Sequence, residues 1–126
     1  MVNYIIKYET AKLAKNKGFS WGAIFYYNEG SDLRQLDSLV DSNYNNIYDK
    51  YSAPTQSLLQ KWLRDIHKII VWVEPNYDFA EEQILLDEWF AVITKGSFSN
   101  NKETKPFKTY EQALEEGLLK ALQMIK

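Results

Sequence analysis

At 126 residues, with 45% hydrophobic and 15% aromatic side chains, the chain is long enough for one globular core and too rich in Trp, Tyr and Phe to stay disordered. A net charge of −2 excludes a strong global pull toward nucleic acid or an anionic membrane. With no cysteine and a single histidine, His67, the sequence holds no disulfide framework and no Cys/His metal pattern.

These numbers predict one α+β domain over residues 1–126. The first eight residues lack the basic end and long apolar stretch of a secretory signal, and no purely apolar run exceeds five residues, as at 69–73, far too short to span a bilayer. Cytoplasmic localisation and no membrane partner are the resulting expectations. Charge is less even than its total. Glu74, Asp78, Glu81, Glu82, Asp87 and Glu88 have no Lys or Arg among them, whereas Lys7, Lys12, Lys15 and Lys17 crowd the first helix, and Lys95, Lys102, Lys105 and Lys108 form a second basic segment. Like-charge runs of this kind are usually solvated faces.

In chain order, residues 8–17 place Thr10, Leu13, Ala14 and Lys17 on one helical stripe, and Gly18 supplies a left-handed stop. Residues 22–28, dense in β-branched and aromatic side chains and running into Asn28-Glu29-Gly30, predict a strand and a turn. Residues 31–51 read as mostly irregular, with Leu33, Leu36, Leu39 and Val40 as candidates for a short helix.

A second helix is expected from Pro54, which suits a first turn. Leu58, Leu59, Trp62, Leu63 and Ile66 gather on an arc of roughly 140°, while Gln56, Gln60, Arg64 and His67 stack on a polar stripe roughly 80° wide. Strands follow at 68–73, closed by Pro75, and at 88–94, with an acidic connection between them. Joined in this way they pair antiparallel. After a polar loop at 97–108, Thr109 and Gln112 form a capping box for a last helix. Its apolar face is Tyr110, Ala113, Leu114, Gly117, Leu118, Ala121, Leu122 and Ile125, with Gly117 allowing close approach to the sheet.

The order α-β-(irregular)-α-β-β-α predicts three helices packed on a small antiparallel sheet of three to four strands. Both faces of its central strands are apolar: Ile69, Val71 and Val73 against Ile70 and Trp72, and Trp89, Ala91 and Ile93 against Phe90 and Val92. A small antiparallel sheet usually leaves one face wet, so something is expected to cover the second: residues 31–51, a helix, or another chain.

No pattern completes a catalytic centre. His67 lies beside Arg64 with no carboxylate or nucleophile in an orienting relation, and its position at a helix C-terminus has a structural explanation. Asp41, Asn43 and Asn45 imitate the start of a calcium loop, but Asn46 stands where its glycine belongs and Ser52 where its glutamate belongs. Adjacent acids such as Glu81 with Glu82 or Asp87 with Glu88 do not face each other across a substrate. Phosphate loops, nucleophile elbows and zinc-protease motifs are missing from the sequence, so neither catalysis nor a cofactor or metal is expected.

Gln60, Lys61, Arg64 and Lys68 ahead of a hairpin give the outline of a winged helix, although the connection is acidic where a wing should be basic. The acidic stretch itself suggests a phosphate-backbone mimic, a weak one for a nearly neutral chain. Tyr44, Tyr48, Tyr51 and Tyr77 suit base stacking and protein interfaces equally.

Residues 9–19 (ETAKLAKNKGF), 51–64 (YSAPTQSLLQKWLR) and 109–118 (TYEQALEEGL) together resemble a family of small uncharacterised phage and prophage proteins of gut Bacteroidetes. The resemblance spans all three helices and is poorest over residues 31–50. It implies a phage or mobile-element context and an intracellular life, and it carries no activity or site residues. The expectation is a non-enzymatic binding or self-associating module. Its candidate contact residues are Trp72 and Phe90 on the sheet and Gln56, Gln60, Arg64 and His67 on the helical stripe. The alternative is a nucleic-acid accessory protein using helix 54–68 and the following hairpin.

Overall fold

The computed structural model describes residues 4–35, 42–97 and 100–126. Helix α1 (Tyr8–Asn16) leads into β1 (Phe25–Asn28) and β2 (Leu33–Gln35). A 3-10 turn (Tyr44–Asn46), β3 (Lys50–Ala53) and α2 (Gln56–His67) follow. The chain continues through β4 (Ile69–Asp78), β5 (Gln83–Lys95) and β6 (Lys102–Glu103) to α3 (Tyr110–Gln123). The α+β class and the antiparallel pairing hold, but the strands are divided between two three-stranded sheets, ordered β2-β1-β3 and β4-β5-β6.

The extra sheet comes from the stretch read as irregular. β1 pairs with β2 on one side and β3 on the other, so Tyr26 lies between Arg34 and Ser52. These strands are three or four residues long, too short for a period to be read from sequence. Leu33 is in β2 and exposed, whereas Leu36, Leu39, Val40 and Asp41 lie outside the described residues. β6 and a Trp89–Phe107 bridge likewise interrupt the polar loop expected at 97–108.

Helix ends follow local chemistry. α1 stops at a left-handed Gly18 (φ +93°). α2 begins two residues later than a Pro54 start implies, because Thr55 is the cap and its Oγ1 accepts from the Leu58 N–H at 3.1 Å. Thr109 caps α3 in the same way, accepting from the Gln112 N–H at 3.1 Å.

All three helices meet in one core. Leu59, Trp62 and Leu63 of α2, Leu114, Leu118 and Leu122 of α3, Ala11 and Ala14 of α1, and Ile69, Val71, Ala91 and Ile93 of the second sheet bury together. Two of the expected core positions fall outside it: Ile66 is 52% exposed and Tyr110 is also exposed. Gly117 is where α3 touches the sheet. A Cβ there would lie 2.6 Å from the Ala91 Cβ and 3.0 Å from a Val71 methyl, so only glycine permits this approach.

The largest departure from the sequence reading is the hairpin. β4 runs ten residues and β5 thirteen, so the hairpin extends well past the 68–73 and 88–94 strands. Pro75 does not close the strand. The register breaks between Pro75 and Asn76, where Pro75 opposes Trp89 but Asn76 opposes Leu85. A residue without an N–H is tolerated at such a bulge, and pairing resumes beyond it. The connection is therefore only residues 79–82, and acids expected in a loop stand along the hairpin arms.

Candidate protein-contact surface

The polar stripe on α2 divides on folding. Gln56 is buried and its amide donates to the Glu111 carbonyl (2.9 Å) and the Glu115 carboxylate (3.0 Å). Gln60 donates to the carbonyl of Val71 on β4, the edge strand of its sheet. The bond occupies an acceptor that an edge would otherwise offer to a foreign strand. His67 packs edge-on against Trp62 with ring centroids 4.6 Å apart, and burial, with the Lys95 charge adding to it, holds the imidazole below its usual range. Arg64 remains exposed. Its Nε lies 3.1 Å from Asp65, and its side chain edges a 340 Å³ cleft with Lys68, Ile70 and Thr94.

The second face of the β4-β5-β6 sheet is unevenly covered. Val92 and Thr94 are buried, and the Thr94 hydroxyl donates to the Ser97 carbonyl, drawing the turn after β5 toward that face. Trp72 and Phe90 are half-buried, and Ile70 is exposed. The Trp72 indole N–H donates to Glu74 at 2.7 Å.

Beyond the bulge the hairpin leaves the core. Tyr77 and Ile84 oppose each other across the strands, and Phe79 packs edge-on against Tyr77 with centroids 4.8 Å apart. Exposure reaches 83% for Phe79, 72% for Leu86 and 56% for Ile84. The turn is nevertheless well built: Asp78 Oδ1 accepts from the N–H groups of Ala80 (3.0 Å) and Glu81 (3.2 Å), and Glu82 adopts φ +52°. Around this apolar strip stand Glu74, Asp78, Glu81, Glu82, Asp87 and Glu88. Among the described residues, ion pairs reach Asp32, Asp65 and Glu116 but none of these six.

The sequence reading named Tyr77 only among four tyrosines suited to stacking or interfaces, and passed over Phe79, Ile84 and Leu86 because Pro75 ended its strand. A signal was present: Asn76-Tyr77-Asp78-Phe79 alternates polar and apolar with the period of a strand.

A second cleft, of 590 Å³, opens between α1 and β3, with Lys12, Lys15, Tyr48 and Tyr51 in its walls. Lys15 Nζ donates to the carbonyls of Ile47 (2.7 Å), Tyr48 (2.9 Å) and Lys50 (2.8 Å). Tyr51 donates to Glu29 at 2.5 Å, and that bond pushes its phenol up to about 12. The described residues contain no group of three or more His, Cys, Asp or Glu side chains able to hold a metal, and no helix among them is long and apolar enough to cross a membrane. Comparison with protein-family models, with curated proteins and with solved structures finds no match.

Proposed function

We propose that this protein is a non-enzymatic contact module that binds a protein partner through the β4–β5 hairpin. The observation that carries the reading is the strip of Tyr77, Phe79, Ile84 and Leu86, exposed on a hairpin whose turn is fixed by Asp78. Monomeric proteins seldom display contiguous apolar surface without using it, and aromatic side chains are favoured anchors in interfaces. Trp72 and Phe90 are half-buried nearer the core on the same two strands, and strand alternation puts them on the face opposite Tyr77 and Ile84. The acidic border weighs against nucleic acid as the partner, because phosphate and carboxylate repel.

A photo-crosslinking amino acid placed at Phe79, with a control at exposed Gln123 on α3, tests this in cells. Crosslinking to protein is expected from position 79 and not from position 123. Crosslinks absent from position 79, or equal at the two positions, would remove the hairpin from consideration.

A further inference from the structure

The six hairpin acids occupy the 26 residues from Ile69 to Thr94, a span without Lys or Arg. Removing them from the chain's 17 acids leaves 11, against 15 Lys and Arg, so the remainder carries +4 while the hairpin carries −6. Such a hairpin is not complementary to a copy of itself. A symmetric hairpin-to-hairpin dimer would bring six acids against six, and like charges across an interface oppose association. Its complement is a basic surface with an exposed aromatic centre.

The same chain has one. In the cleft between α1 and β3, Tyr48 is 93% exposed, and with Phe79 it is one of the two most exposed large apolar side chains among the described residues. Phe79 stands among acids, whereas the Tyr48 cleft sets Lys12 and Lys15 against the single acid Glu29, itself engaged by the Tyr51 hydroxyl. The basic wall is pre-formed: Lys15 is held by three carbonyls, and Lys12 Nζ lies 5.3 Å from the Tyr8 ring centroid and 6.0 Å from that of Tyr51. A wall already ordered loses little freedom on binding.

Resting on the hairpin as a contact surface, we propose that its partner is a second copy of this chain, whose Lys12–Tyr48 cleft receives the Phe79 tip head to tail. Contact of this type leaves a free hairpin at one end and a free cleft at the other, so assembly continues with concentration unless the rotation between copies closes a ring. Charge contributes to it, so salt weakens it.

Sedimentation velocity of the full chain over a wide concentration range, at low and high salt, tests the proposal with two charge-reversed variants. One carries Glu81→Lys and Glu82→Lys; the other carries Lys12→Glu. The native protein is expected to sediment faster as concentration rises at low salt and to revert at high salt. Each variant alone brings like charges together where positions 81 and 82 meet position 12, and is expected to associate roughly tenfold more weakly or worse. Mixing the variants sets opposite charges between positions 81 and 82 of one copy and position 12 of the other at every mixed junction, so assembly returns. Circular dichroism of each variant checks that it is folded. A native protein that stays monomeric throughout, or association that ignores both reversals, overturns the proposal. Position 79 crosslinked only to foreign protein would sink the second-copy partner and leave the hairpin surface standing, whereas no crosslink from it would remove both.

Discussion

The side-chain amide of Gln56 donates a 3.0 Å hydrogen bond to Glu115, joining the first turn of α2 to the middle of α3 across 59 positions of sequence. The same carboxylate accepts from the Lys7 backbone N–H at 2.9 Å and from the Thr10 hydroxyl at 2.5 Å. Lys7 is the cap residue of α1 and makes no side-chain cap bond of its own, so Glu115 caps that helix from another element. A carboxylate at a helix N-terminus also faces the positive end of its dipole. One buried acid thus ties the three helices together.

Glu115→Ala would leave a buried hydroxyl, a buried amide and a part-buried backbone N–H without this acceptor. We expect a loss of roughly 3 kcal/mol, since an unsatisfied buried group costs about 1–3 kcal/mol. Urea unfolding measures it, and a loss under about 0.5 kcal/mol would show that water replaces the carboxylate at no real cost. In a double-mutant cycle, Thr10→Val and Glu115→Ala should be non-additive by about 0.5–3 kcal/mol.

Gly117→Ala should destabilise the fold even though alanine is the better helix former by about 1 kcal/mol. The new methyl would stand 2.6 Å from the Ala91 Cβ, where neither backbone can yield cheaply. Overpacking of this kind costs about 1–3 kcal/mol. Thermal unfolding should show a lowered Tm, recovered in part by adding Ala91→Gly. An unchanged or raised Tm would mean that α3 can shift away from the sheet.

Acid should weaken the protein through His67. Its folded pKa lies below its ordinary value, because burial against Trp62 and the nearby Lys95 disfavour the imidazolium. The unfolded chain therefore binds the proton more readily, and this contribution to stability is complete above pH ~6.5 and declines as pH falls toward the folded pKa. His67→Phe preserves an aromatic contact with Trp62 and removes the titration. The Tm of the native protein should fall more than that of the variant between pH ~7 and ~5.5. Parallel curves would contradict the assignment.

Within the α2 stripe, Gln60→Ala and Arg64→Ala should separate. Gln60 holds the Val71 carbonyl, so its loss should cost about 1 kcal/mol in urea unfolding. Arg64 is exposed and among the described residues pairs with its neighbour Asp65 alone, so its loss should stay within about 0.5 kcal/mol. Equal costs would show that the edge bond does not hold in solution.

Phe79→Ser with Leu86→Ser should leave stability within about 0.5 kcal/mol while reducing hairpin-dependent crosslinking, because both side chains are largely exposed. If the pair instead unfolds the protein, the strip belongs to the core's support and not to a contact surface.

Sequence alone determined the features that rest on nearest neighbours. Helical periodicity located all three helices, Gly18 and Thr109 marked two of their ends, and the Gly117 position foretold close contact with the sheet. The antiparallel pair was also legible, since bulky residues on either side of a turn can scarcely pair otherwise. Tertiary structure decided the rest. Gln56 looked like surface because its position on the helix is polar, and only Glu115, 59 residues away, makes its burial affordable. β1, β2 and β3 are too short for a period to stand out, and their pairing is settled by long-range contact. Pro75 reads locally as the end of a strand, but the bulge opposite it lets the hairpin run on and carries Tyr77, Phe79 and Ile84 away from the core. A local pattern specifies which conformation a segment favours. Which surfaces stay exposed depends on partners that the chain brings together only by folding.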